Sequence, residues 1–143
     1  MTPKPPLSEQ ELLAMPQECY MNEQQLDFFR LLLEEQRMEV AEHLKGLREA
    51  ITTPPELGDS TDQATLEEEK ALLLRQADRE SKLLSKIDAA LERINRQNYG
   101  YCEETGDPIG LKRLLLRPTA ELSLEAKQLQ EEQESHYAKH RLS

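Results

Sequence analysis

Four positions carry the spacing of a metal site. Cys102, Thr105, Ser123 and Ala126 follow the pattern X-x2-X-x17-X-x2-X. Cysteine at all four would be a strong zinc signature, because Zn2+ takes four tetrahedral thiolate or imidazole ligands. Here only the first is Cys. Thr and Ser hydroxyls are poor zinc ligands and Ala is none, so one thiolate cannot hold a structural zinc. By itself the spacing is a weak signal. His136 and His140 stand at i, i+4 and could share a metal; an exposed pair near a C-terminus is more often solvated. Asp59 and Asp62 precede a helical stretch, where Asp is a good N-cap. No nucleophile–base pairing and no Gly-rich phosphate loop is present. A free-standing enzyme is therefore the least supported class, and the expected answer is no catalysis and no cofactor.

The elements that position these residues are helical. Asn22 is a natural N-cap, Glu23 suits the positive end of the helix dipole, and Gln25 can reach back as in a capping box. A heptad stripe follows through Leu26, Phe29, Leu33, Gln36, Val40, His43, Leu47 and Ala50. Its alternation of three and four is a coiled-coil seam. His43 reads as a polar member at the seam edge. From Thr52 to Asp59 a Pro pair and a Gly break the pattern. A second helix is expected from Asp62 to Asn98, with its seam at Leu66, Lys70, Leu73, Ala77, Glu80, Leu84, Ile87, Leu91 and Ile94. Gly100 is placed to end it. Two helices of similar length, each about 45–50 Å long at the rise of an α-helix, form an antiparallel hairpin.

Beyond the hairpin the stretch Tyr101 to Gly110 is turn-rich, and Leu111 to Leu116 reads as a short strand or an apolar patch. Tyr99, Ile109, Leu111, Leu114 and Leu116 are the candidate core, with turns at Gly106 and Gly110. Ser123 is the N-cap of a last helix. The fold class is mainly α: a coiled-coil hairpin, a small zinc-finger-like globular body without zinc ligands, and a C-terminal helix. The expected organisation is a tail over 1–21, the hairpin over 22–98 with its tip about 52–64, the body over 99–122, and the helix over 123–143. A short helix over Glu9 to Met15 is allowed within the tail.

Composition narrows the function classes. The chain has 143 residues, 32% of them charged, and a net charge of −10. Direct DNA binding by most of this surface is disfavoured, since phosphate binding needs clustered Lys and Arg. No apolar run reaches the ~20 residues that cross a bilayer, and the first residues lack a signal-peptide core. Cys19 and Cys102 are expected as free thiols in a cytoplasmic protein. One hairpin satisfies its own seam, so a monomer is expected.

Several motifs then converge. They are Tyr20-Met21-Asn22-Glu23, Asp59-x-x-Asp62-x-Ala64, Glu67-Glu68-Glu69, Asp78-Arg79-Glu80, Gly100-Tyr101-Cys102-Glu103, Ile109-Gly110-x-x-Arg113-Leu114 and Arg117-Pro118-Thr119-Ala120. Together they resemble the DksA/TraR family of RNA polymerase secondary-channel regulators, over about Tyr20 to Lys127. The departure is at Cys102, Thr105, Ser123 and Ala126, where family members usually carry four cysteines; the chain looks like a cysteine-poor, zinc-independent paralogue.

The resemblance implies a partner, RNA polymerase. The hairpin would enter its secondary channel from the β′ rim, with Asp59, Asp62 and Ala64 at the tip near the catalytic Mg2+. It implies inhibition of ribosomal RNA promoters and activation of amino-acid biosynthesis promoters in the stringent response. It also implies (p)ppGpp as co-regulator, held with the polymerase by Arg79, Leu83, Lys86, Arg117 and Lys127. Arg79, Leu83 and Lys86 are spaced four and three and share one helix face. Arg and Lys are the expected phosphate partners; the plain alternative is a face of ordinary ion pairs. Two rival functions remain: a Gre-like transcript cleavage factor whose tip acids hold a second Mg2+, and a passive coiled-coil interaction module. A cleavage assay on stalled complexes separates the first and a polymerase pull-down the second.

Overall fold

The structure, a computed structural model, describes residues 7–54 and 62–141, with side chains to residue 138. It comprises α1 (Glu9–Ala14), a 3-10 turn (Gln17–Cys19), α2 (Glu23–Thr52), α3 (Gln63–Asn95), α4 (Leu111–Leu116) and α5 (Leu124–Arg141). Among the described residues there is no strand, and one isolated antiparallel bridge joins Tyr101 to Pro108. The chain divides into two compact units, Glu34–Ala89 and the combination of Met1–Leu33 with Ala90–Ser143.

The expected cap of α2 forms. Asn22 Oδ1 accepts from the Gln25 N–H at 2.9 Å, and Gln25 Oε1 accepts from the Met21 N–H at 2.9 Å. The reach-back lands one residue early, because the Asn22 N–H is already bonded to the Cys19 carbonyl. Gln25 is fully buried, and such an amide is tolerated only when bonded. α2 ends where Thr52 and Thr53 turn their hydroxyls back onto the Arg48 and Glu49 carbonyls and Pro54 follows.

In the unit Glu34–Ala89, α2 and α3 run antiparallel. Arg37 Nε meets Asp88 Oδ1 at 2.6 Å, while His43, further along α2, faces Glu80, earlier in α3, at 3.6 Å. Leu44, Leu47 and Ile87 are buried there. The seam departs from expectation at His43, whose side chain is exposed; Leu44 takes the inward place. An α-helix drifts about 20° per heptad against a strict 3.5-residue repeat, so the buried stripe passes to the next residue after two or three heptads. Ala50 and Lys70 are exposed for the same reason of position near the ends of their stripes.

The second unit holds most of the core. Phe29, Leu33, Ala90, Ile94, Tyr99 and Leu114 are all essentially inaccessible. Each large side chain so buried contributes roughly 1.5–3 kcal/mol. Tyr99 packs on Phe29 with ring centroids 5.5 Å apart, and its hydroxyl donates to the Pro118 carbonyl at 2.6 Å. The segment expected as tail carries α1, capped by Ser8, and buries Leu12 completely.

Three local expectations are corrected. α3 ends at Asn95, short of the expected Asn98, and Gly100 does not close it. Gln97 adopts φ 62°, its N–H bonds the Ile94 carbonyl and the Asn98 N–H bonds the Arg93 carbonyl. That is a Schellman close with Gln where Gly is usual. Gly100 serves instead a close approach: at φ 90° a Cβ would lie 2.8 Å from Met21 Cγ and Sδ. Residues Leu111–Leu116 form a helix rather than a strand, and Leu116 is 86% exposed, outside the core. Gly110 at φ 103° turns the chain into it.

Two stability outcomes follow, both read by urea denaturation. Gln97→Gly should stabilise by roughly 0.5–1 kcal/mol, since the left-handed conformation costs Gly nothing. Tyr99→Phe should destabilise by about 1–3 kcal/mol, since it leaves the Pro118 carbonyl without its donor.

Candidate functional site

The four zinc-type positions do come together locally, through hydrogen bonds rather than a metal donor set. Ser123 Oγ accepts from the Ala126 N–H at 3.2 Å and so caps α5. Thr105 Oγ1 accepts from the Asp107 N–H at 3.2 Å in the turn that Gly106, at φ 77°, closes. Ala126 is buried and offers no donor. These residues do not fit a zinc ion: one thiol, two hydroxyls already engaged, and a methyl group. Among the described residues no three His, Cys, Asp or Glu side chains form a metal-holding group. His136 is exposed on α5, and the His140 side chain lies outside the described residues.

Cys102 is buried and free. Burial raises its pKa, but the Thr105 hydroxyl and the backbone N–H groups of Ser123, Thr105 and Glu104 outweigh it. They hold the thiol well below its ordinary value, at about 6. Donors converging on one sulfur stabilise the thiolate as backbone nests stabilise other anions.

Nearby, Tyr20 bridges two turns. Its hydroxyl donates to the Gly100 carbonyl and accepts from the Gly110 N–H at 3.0 Å. Burial raises its pKa. Its ring meets Tyr101 edge-on at 5.6 Å. Arg93 reaches from α3 to Glu121 at 3.1 Å, and Arg113 Nε donates to the Leu122 carbonyl at 3.0 Å. Sequence reasoning missed these roles. A tyrosine that bridges two backbone turns has no local signature.

Of the tip residues, Asp59 lies outside the described residues. Asp62 and Ala64 are exposed at the start of α3, where Asp62 Oδ1 accepts from the Ala64 N–H at 3.1 Å. Arg79, Leu83 and Lys86 lie exposed on α3 in the unit Glu34–Ala89. On that stretch Lys82 pairs with Asp78 at 2.9 Å and Glu80 faces His43 at 3.6 Å; Arg79 and Lys86 make no ion pair with another described residue. In the other unit Arg117 is exposed at the end of α4, its side chain likewise without a hydrogen bond to a described residue, and Lys127 meets Gln130 at 3.5 Å.

The Cys102 environment predicts a pH dependence. The folded-state pKa lies below the unfolded one, so the thiolate stabilises the fold. That contribution is complete above about pH 9, declines below it, and is gone beneath about pH 6. Under reducing conditions, the stability of the protein relative to Cys102→Ala should therefore rise from about pH 6 to about pH 9 in urea titrations. Parallel curves would show that the thiol is not held ionised.

Comparison with known proteins agrees with this arrangement. Residues 25–94 match the family described as DnaK suppressor protein DksA, N-terminal domain, and residues 97–132 match the prokaryotic dksA/traR C4-type zinc finger. The chain is 44% identical over 124 residues to the RNA polymerase-binding transcription factor DksA of Caulobacter vibrioides, covering 82% of this chain and 83% of that one. To the protein of the same name from Escherichia coli K12 it is 41% identical over 127 residues, covering 86% and 82%. The solved structure of transcription factor DksA2 from Pseudomonas aeruginosa superposes with a TM-score of 0.77 at 52% identity, covering 90% of this chain and all of that one. With a family match over its helical pair and such identity over most of its length, the chain belongs to the DksA/TraR family.

Proposed function

We propose that this protein is a non-enzymatic transcription regulator that binds bacterial RNA polymerase directly in the cytoplasm. The observation that carries the reading is its 41–44% identity, over more than four fifths of each chain, to RNA polymerase-binding transcription factors. The antiparallel pair α2–α3 supports a finer version. A paired helix of this length, about 1.5 Å per residue, can carry a short acidic end deep into a channel while its base is held outside. In this reading the end of the hairpin enters the polymerase secondary channel with Asp59, Asp62 and Ala64 foremost. It inhibits ribosomal RNA promoters and activates amino-acid biosynthesis promoters.

Zinc has no role in this reading, because the donor chemistry at Cys102, Thr105, Ser123 and Ala126 does not suit the ion. (p)ppGpp is the co-regulator, bound jointly with the polymerase. Arg79, Lys86 and Arg117, which make no ion pair with another described residue, and Lys127 supply the cations, with Leu83 beside them. The protein acts as a monomer.

The test is transcription in vitro from a ribosomal RNA promoter with chelator-treated protein, with and without ppGpp. Wild type should inhibit, and ppGpp should deepen the inhibition. Asp62→Asn should abolish it. Asn caps a helix as well as Asp does, so this substitution keeps the start of α3 and removes only the charge. Arg79→Ala should keep the basal inhibition and lose the response to ppGpp. A folded protein that co-elutes with no polymerase would leave the passive coiled-coil module as the function. Cleavage of backtracked RNA would point instead to a Gre-like activity.

A further inference from the structure

A cavity of about 1030 Å3 lies within the unit formed by Met1–Leu33 and Ala90–Ser143, between the N-terminal segment and α4. Its size is at the upper end of the range that takes a small molecule, about 300–1,000 Å3. The walls are mainly apolar, with Leu13, Met15, Tyr20, Ile109, Leu111 and Leu116 among them. Leu116 at its mouth is 86% exposed and Leu13 42% exposed, so apolar surface faces water where nothing in the fold requires it.

Its polar groups have one dominant sign. Among the described residues, Lys112, Arg113 and Arg117 line the cavity against a single acid, Glu18, in a chain whose net charge is −10. Arg113 is oriented by its bond to the Leu122 carbonyl, and that bond occupies Nε only. Lys112 makes no ion pair with another described residue. An apolar chamber edged by cations in an acidic protein is complementary to one chemistry. The ligand needs a hydrocarbon body to displace water from the walls and one negative head to pair with the rim. A neutral apolar molecule would leave the cations unused. A polyanion without an apolar body would leave the walls wet.

We propose that this cavity binds a small organic anion with an apolar body, its hydrocarbon against Leu111, Leu116 and Tyr20 and its carboxylate or sulfonate at Lys112 and Arg113. Of the proposed (p)ppGpp positions the cavity wall includes Arg117, and binding here needs no polymerase. It would give the regulator a second small-molecule input.

The probes are 8-anilinonaphthalene-1-sulfonate and its uncharged analogue N-phenyl-1-naphthylamine, titrated into the full chain by fluorescence. The sulfonate should bind once per chain and about tenfold more tightly than the neutral dye, a ratio set by the rim charges. Lys112→Glu should weaken the sulfonate about tenfold and leave the neutral dye unchanged. Leu116→Glu, at a side chain already in water, should weaken both dyes without loss of helicity by circular dichroism. Dodecanoate should displace the sulfonate from the wild type. Equal affinity for the two dyes, indifference of the sulfonate to Lys112→Glu, or absence of sulfonate binding would overturn the proposal; the last would leave the exposed leucines to a protein partner.

Discussion

Everything outside the helical pair depends on how Tyr99 is buried. It stands just past the Schellman close of α3, at zero exposure, with its ring on Phe29 of α2 and its hydroxyl on the Pro118 carbonyl. Three pieces of chain far apart in sequence are joined by that one side chain. Burial pushes its pKa well above the ordinary phenol value, so the hydroxyl stays a donor at any working pH. Because the phenol cannot leave without stranding the Pro118 carbonyl, the path before α5 is fixed, and with it the place of Ser123 and Ala126.

The body around Cys102 shows how a small unit closes when a metal donor set is missing. A structural zinc supplies on the order of 10 kcal/mol or more to a small domain. Here several modest interactions occupy the same positions. Ser123 caps a helix, Thr105 closes a turn, Ala126 fills space, and Cys102 gathers donors. Tyr20 adds a bridge between the Gly100 and Gly110 turns. None of these is strong alone. Together they satisfy backbone groups that a tight loop would otherwise leave unpaired, which is what such a loop most needs. No buried side-chain polar atom among the described residues lacks a partner.

The charge pattern on the hairpin is uneven. Among the described residues Arg37, His43, Lys82 and Arg96 face acids within their units, whereas Lys45, Arg48, Lys70, Arg75, Arg79 and Lys86 face none. Exposed pairs contribute little to stability, about 0–1 kcal/mol each. Cations without a partner among the described residues therefore cost the fold little.

The sequence by itself determined the elements whose signals are local. The Asn22–Gln25 cap, the break from Thr52, the Asp62 start and the Ser123 cap all act over three or four residues, and all appear where the residues predict. The two seams were legible as well, because helical periodicity repeats the same information many times. The zinc-type spacing was legible, and so was the poverty of its donors. Only tertiary structure decided the rest. Gln97 enters a left-handed conformation because the chain must turn to bury Tyr99, and no local rule favours Gln there. Leu111–Leu116 is helical because Leu114 alone must point inward; six apolar-rich residues fit either period. Leu44 displaces His43 because drift accumulates along a whole helix. Gly100 was legible as a glycine that mattered, but its reason is Met21, seventy-nine positions earlier in the numbering. Contacts at such separations leave no pattern in neighbouring residues; of the Cys102 donors, Thr105 and Glu104 are local and only Ser123 is brought in from further along the chain.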